Sequence, residues 1–111
     1  MSNFQHNIIQ NGNFLAIIDG SKCRNIQSFY KEIAVSLNFP DYFSNNLDSF
    51  DEMISDLEWI EEKVIMLIII NAGDLLADDK DMLPTINGVF FRAAVELENF
   101  KIQFSVHTQK L

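Results

Sequence analysis

Apolar and polar positions recur along this chain with two different periods, and the changes of period divide it into elements. Residues 14–18 (FLAII) form a short apolar run closed by Asp19-Gly20, a turn signal, and read as a buried strand. From Ile26 the period becomes helical. Ile26, Phe29, Tyr30, Ile33 and Leu37 share one face behind Asn25, a residue suited to cap a helix N-terminus. Pro40 closes this helix, because a residue preceding proline disfavours helical dihedrals. Residues 41–46 (DYFSNN) are polar turn formers and make a loop. A second helix follows over residues 47–57, with Leu47, Phe50, Ile54 and Leu57 on one side and Met53 beside them.

Residues 64–70 (VIMLIII) are apolar throughout and end at Asn71-Ala72-Gly73, which predicts a strand covered on both faces, as in the middle of a parallel sheet. An acidic, irregular stretch over 74–81 holds at most one helical turn. Pro84 sits well in the first turn of a third helix, to which Phe90, Phe91, Ala94 and Leu97 give an apolar side. Gly88 lies inside that helix and blurs where it begins. Ile102, Phe104 and Val106 alternate with Gln103, Ser105 and His107, the pattern of a strand with one buried face. Residues 1–13 are polar, rich in Asn and Gln, and show no period. They read as a flexible N-terminal extension, leaving 14–111 as one domain. Strands separated by helices imply an α/β fold: a small three-stranded parallel sheet packed with three to four helices, the first strand central.

Composition adds the material of the core. The chain has 111 residues, 48% of them hydrophobic and 22% charged, as expected of a folded domain rather than a disordered segment. Ten Phe residues point to an aromatic interior, and Phe29, Phe43, Phe50, Phe90, Phe91, Phe100 and Phe104 fall mostly at core spacing. Trp59 either closes the bottom of the sheet or stays half exposed. Cys23 is the single cysteine, so no internal disulfide can form. Flanked by Lys22 and Arg24, it is either a thiol of depressed pKa or a buried structural thiol, and the second is the plainer reading. The longest apolar run is far shorter than the roughly 20 residues that span a bilayer, and residues 1–13 lack a signal-peptide pattern. The expected location is cytoplasmic, with no membrane association.

Charge narrows the function. A net charge of −8 repels phosphate backbones, which argues against direct nucleic-acid binding and favours a basic partner. Between Lys31 and Lys63 there is no Lys or Arg. That interval holds Glu32, Asp41, Asp48, Asp51, Glu52, Asp56, Glu58, Glu61 and Glu62, more than half of the chain's 16 acids. Asp48 and Glu52 are four residues apart on the polar side of the second helix, where like charges repel by a few tenths of a kcal/mol. Asp51 and Asp56 extend that side. Two readings stand open: a solvated face kept for solubility, or a carboxylate cluster that enters a positively charged cleft. Catalysis is disfavoured, since carboxylates side by side on one helix do not flank a substrate from two sides. His6 and His107 are far from them in sequence, and the four Gly are scattered. No metal site, catalytic residue or cofactor is expected.

Four segments carry a resemblance: Ile18-Asp19-Gly20; Ile26; Leu37-Asn38-Phe39-Pro40-Asp41-Tyr42-Phe43; and Asn46-Leu47-Asp48-Ser49-Phe50. Together they resemble the barstar-like ribonuclease inhibitor family, clearly over residues 14–57 and in element order from 64 to 107. The resemblance implies an inhibitor that plugs a ribonuclease active site with the second helix and the loop before it, in place of RNA phosphates. By position it implies that Asp48 is the motif aspartate. Glu52 stands for the acid that contributes most to the complex, one methylene longer here. Tyr42 matches the loop tyrosine that packs on a catalytic histidine of the nuclease. Asn46 matches an Asn best read as a helix cap or a loop hydrogen-bonding residue. Two departures stand out. Asp51 replaces a tryptophan of the family's founding member, and Ala93 falls where that protein has an interface glutamate, with Glu96 one turn on. A cognate enzyme different from the founding member's target follows. The expected partner-binding set is Tyr42, Asp48, Asp51, Glu52, Asp56 and Glu96. The expected partner is a basic ribonuclease or nuclease toxin, bound by a protein that is monomeric when free. An immunity or regulatory protein of the same fold with a non-ribonuclease basic partner is the alternative.

Overall fold

A computed structural model of the chain describes residues 5–109. Strands β1 (Asn7–Gln10), β2 (Asn13–Asp19), β3 (Val64–Ile70) and β4 (Gln103–Thr108) alternate with helices α1 (Ile26–Ser36), α2 (Leu47–Asp56) and α3 (Leu83–Leu97) in the order β1-β2-α1-α2-β3-α3-β4. The strands form one sheet in sequential order, β1 antiparallel to β2 and the other pairs parallel. The expected three-stranded parallel sheet is therefore a four-stranded mixed one, with three α-helices among the described residues.

The added strand corrects the reading of the N-terminus. From Asn7 onward, the extension expected to be flexible over residues 1–13 belongs to the sheet; residues 1–4, and 110–111 of the expected domain, lie outside the described residues. Asn11 and Gly12 both take positive φ, 54° and 78°, the two-residue turn whose twist suits a hairpin. Ile8 and Ile9 remain exposed, so polar contacts rather than apolar burial hold β1. The Ile17 amide donates to the His6 carbonyl at 2.7 Å. The Asn7 side-chain amide donates to the Ser36 carbonyl at 3.0 Å and to Asn38 Oδ1 at 3.1 Å. His6 Nε2 lies 3.1 Å from Glu32 Oε2.

With β1 in place, β2 is an interior strand, but β3 holds the middle of the three parallel ones. β3 is not covered equally on both faces. Ile65, Leu67 and Ile69 are buried against the helices, whereas Val64, Met66, Ile68 and Ile70 are half-buried on the other side. Phe14, Ile65 and Phe104 make one row across the buried face. Beyond them an aromatic cluster ties the helices together: Phe50 meets Phe29 at 5.4 Å and Phe90 at 5.7 Å between ring centroids, both edge to face.

Local signals account for most helix ends. The Ser28 amide donates to Asn25 Oδ1 at 2.8 Å and caps α1. The helix stops before Pro40 is reached, because Asn38 turns left-handed at φ 54° and the Phe39 amide returns to the Ala34 carbonyl. Gly20 follows β2 where a Cβ would stand 2.3 Å from the Asn71 carbonyl oxygen, so no larger residue fits. Gly88 is different. It is exposed inside α3, and a Cβ there would meet nothing within 4 Å. Gly88→Ala is expected to stabilise the protein by about 0.5–1 kcal/mol by removing unfolded-state freedom, read as a higher thermal midpoint.

The acidic stretch after β3 is used internally. Arg24 reaches Asp74 at 3.3 Å and Asp78 at 3.2 Å, and the Ile26 amide donates to Asp79 Oδ2 at 2.7 Å at the start of α1. These carboxylates brace α1 and differ in this from the acids of α2.

Candidate functional site: an acidic helical face

α2 is built from two opposed requirements. Phe50, Met53 and Ile54 must be buried, which turns Asp48, Glu52 and Asp56 outward. At four-residue spacing these three form a ridge on which successive acids rise by about 6 Å. All three are exposed, and none lies within ion-pair distance of a Lys, Arg or His among the described residues. Asp48, in the first turn, is favoured by the positive end of the helix dipole. Asn46 caps α2, its Oδ1 accepting the Ser49 amide at 2.8 Å, the role expected for it.

The loop before α2 is anchored by one ring. Phe43 packs edge to face on Phe39 at 4.9 Å and on Tyr30 at 6.0 Å. The neighbouring Tyr42 is left 63% exposed on the surface. The Ser44 amide donates to Ser49 Oγ at 3.1 Å, joining loop to helix.

Asp51 and Glu96 stand apart from the ridge. Arg92 of α3 donates from Nη2 to Asp51 Oδ2, and its Nε lies 3.9 Å from Glu96 Oε1. The Ser55 hydroxyl donates to the other Asp51 oxygen at 3.3 Å. The paired carboxylate in turn holds the Arg92 guanidinium above its ordinary pKa. Ala93, matched in sequence to an interface glutamate, is buried in the core, so the surface position that α3 offers to α2 is Arg92. Sequence reading passed over Arg92 because the acid-rich interval ends thirty residues earlier. Only the packing of α3 against α2 brings this cation to the face.

At the C-terminal end of α2 a cleft of about 590 Å³ is lined by Glu52, Ser55 and Asp56 together with Lys63, Phe100 and Ile102. Phe91 and Phe100, expected in the core, are 74% and 70% exposed. α3 ends at Leu97, so Phe100 falls outside its period; Phe91 lies one step round from the buried Phe90. Trp59 is half-buried, edge to face with Phe39, and its indole N–H donates to the Leu37 carbonyl at 2.9 Å. Cys23 is buried, and burial pushes its thiol up to about 12, with the Glu32 and Asp19 charges adding to the effect. It is a structural thiol and offers no nucleophile at neutral pH. No helix among the described residues is long and apolar enough to cross a membrane.

The fold and this face define a small α/β protein that presents an unpaired carboxylate ridge on one helix. The chain belongs to the Barstar (barnase inhibitor) family, whose model matches residues 13–109. That family is one of inhibitors rather than enzymes. No curated protein matches the chain.

Proposed function

We propose that the protein inhibits a basic ribonuclease by laying α2 and the loop before it across the enzyme's active site. The observation that carries this reading is the ridge of Asp48, Glu52 and Asp56, exposed and in no ion pair among the described residues, beside the exposed ring of Tyr42. Unpaired carboxylates on a rigid, capped helix can take the place of substrate phosphates against Lys, Arg and His side chains. Long-range attraction speeds encounter, and pairs desolvated on docking slow release. Tyr42 supplies flat apolar area next to the charges, suited to stacking on an active-site ring. Asp51 and Glu96 belong to the same face but meet Arg92 first. The inhibitor acts by occlusion in a one-to-one complex, without turnover or cofactor.

The test is a fluorogenic RNA cleavage assay with the protein titrated into a panel of small basic ribonucleases. Activity is expected to fall linearly and vanish at one equivalent for the cognate enzyme. If no ribonuclease is inhibited while a basic protein of another kind binds tightly, the target class is different and the same ridge serves it.

A further inference from the structure

We propose that the Asp51–Arg92 ion pair is a specificity determinant that selects among basic nucleases, an inference that rests on the ribonuclease reading above. No Lys or Arg occurs in sequence between Lys31 and Lys63, yet the folded face contains one, because α3 sets Arg92 against α2. Arg92 meets Asp51 through Nη2, with Glu96 at 3.9 Å from Nε, while Ser55 holds the other oxygen of Asp51. The side chains of Arg92 and Asp51 are 50% and 39% exposed. Asp51 lies three residues after Asp48, beside the ridge on the surface of α2, so a partner that covers the ridge reaches the pair.

Two consequences follow from an arginine in this position. It neutralises one carboxylate, so Asp51 is withheld from the partner's cations. It also has five N–H donors in a fixed fork, more than these contacts use, on a side chain that is half exposed. A nuclease that places an arginine or lysine opposite would meet a like charge in a drying interface. One that places a carboxylate or a peptide carbonyl there would satisfy the free donors. The pair thus acts as an attractive element for one kind of active-site rim and a repulsive one for the other. A partner with a carbonyl or carboxylate beside its basic cleft is the kind this protein fits.

Barnase, the target named in the family's description, serves as the probe. Inhibition is measured for wild type, Arg92→Ala, Asp51→Ala and Asp51→Ala/Arg92→Ala, with Lys31→Ala on α1 as a control that makes the same change in net charge elsewhere. Arg92→Ala is expected to inhibit barnase at least about tenfold more tightly than wild type, with a steeper salt dependence, and the double variant is expected to lose most of that gain. Lys31→Ala is expected to stay within about threefold of wild type, the scale of a rim charge. Thermal midpoints measured alongside exclude unfolding as the cause. If Arg92→Ala does no better than Lys31→Ala, the pair has no role in specificity and the ribonuclease reading stands. If no variant inhibits barnase while wild type inhibits another ribonuclease of the panel, the proposal is likewise overturned. Failure of wild type across the whole panel overturns the ribonuclease reading, and this inference with it.

Discussion

Glu52→Ala is expected to weaken inhibition of the cognate ribonuclease by about 3 kcal/mol, roughly a hundredfold, while leaving stability unchanged or slightly higher. The two halves have separate causes. Glu52 is central on the ridge, with Asp48 four residues before it and Asp56 four after, and it also lines the cleft at the end of α2. In a docked complex the cations opposite it would be desolvated, and removing one partner of such a pair leaves the other charge buried and uncompensated. In the free protein the same carboxylate makes no ion pair, so its loss removes only like-charge repulsion of a few tenths of a kcal/mol. Inhibition titrations and thermal denaturation of one preparation measure both. Wild-type inhibition by Glu52→Ala would move the contact off the ridge. A clear drop in thermal midpoint would give Glu52 a structural role that its surroundings do not show.

Phe50→Ala should do the reverse. Phe50 lies on the buried side of the same helix, fully inaccessible, with ring contacts to Phe29, Phe90 and Tyr30 at 5.4, 5.7 and 6.0 Å. Truncation removes the transfer free energy of a phenyl ring and leaves a cavity that three helices cannot all collapse into, a cost of about 3–5 kcal/mol. Against a total stability of about 5–15 kcal/mol, that is a large share of the margin. Urea denaturation measures it as a lower midpoint. Because the ridge is untouched, the folded fraction is expected to inhibit as wild type does, so activity should return on cooling or with excess protein. A loss below about 1 kcal/mol would mean that the aromatic cluster is not what seats α2. The pair of variants separates the two faces of one ten-residue helix, three exposed acids on one side and three buried apolar residues on the other.

Much of this was legible along the chain. Asn25 and Asn46 announce two helix starts, and both side chains accept the expected amide. The spacing of Phe50, Met53 and Ile54 already turns Asp48, Glu52 and Asp56 outward, since a helical period assigns sides without reference to neighbours. The apolar run over 64–70 is a strand, and so are residues 103–108, although only Phe104 of the expected alternation is fully buried there. The family resemblance in residues 14–57 also rests on local signals, because caps, turn residues and the acids of one helix lie close together in sequence.

Periodicity fails where an element has no apolar side or where two elements meet. β1 has no buried side: Ile8 and Ile9 are adjacent and both exposed, so the Asn11-Gly12 turn was its main signal. Phe91 and Phe100 are apolar by type and exposed by position. The half-buried outer side of β3 depends on how many layers cover the sheet, which a run of seven apolar residues does not encode. Arg92 belongs to the same class of feature. Its charge is plain in the sequence, but its partner is 41 residues away, chosen by the way α3 packs on α2. Thus the chain by itself determined the three helices, the three parallel strands and the acidic ridge, because each depends on neighbours within about a turn. The tertiary structure alone decided which carboxylates stay free and which are neutralised, because an ion pair between helices is set by their packing geometry and by nothing local to either one.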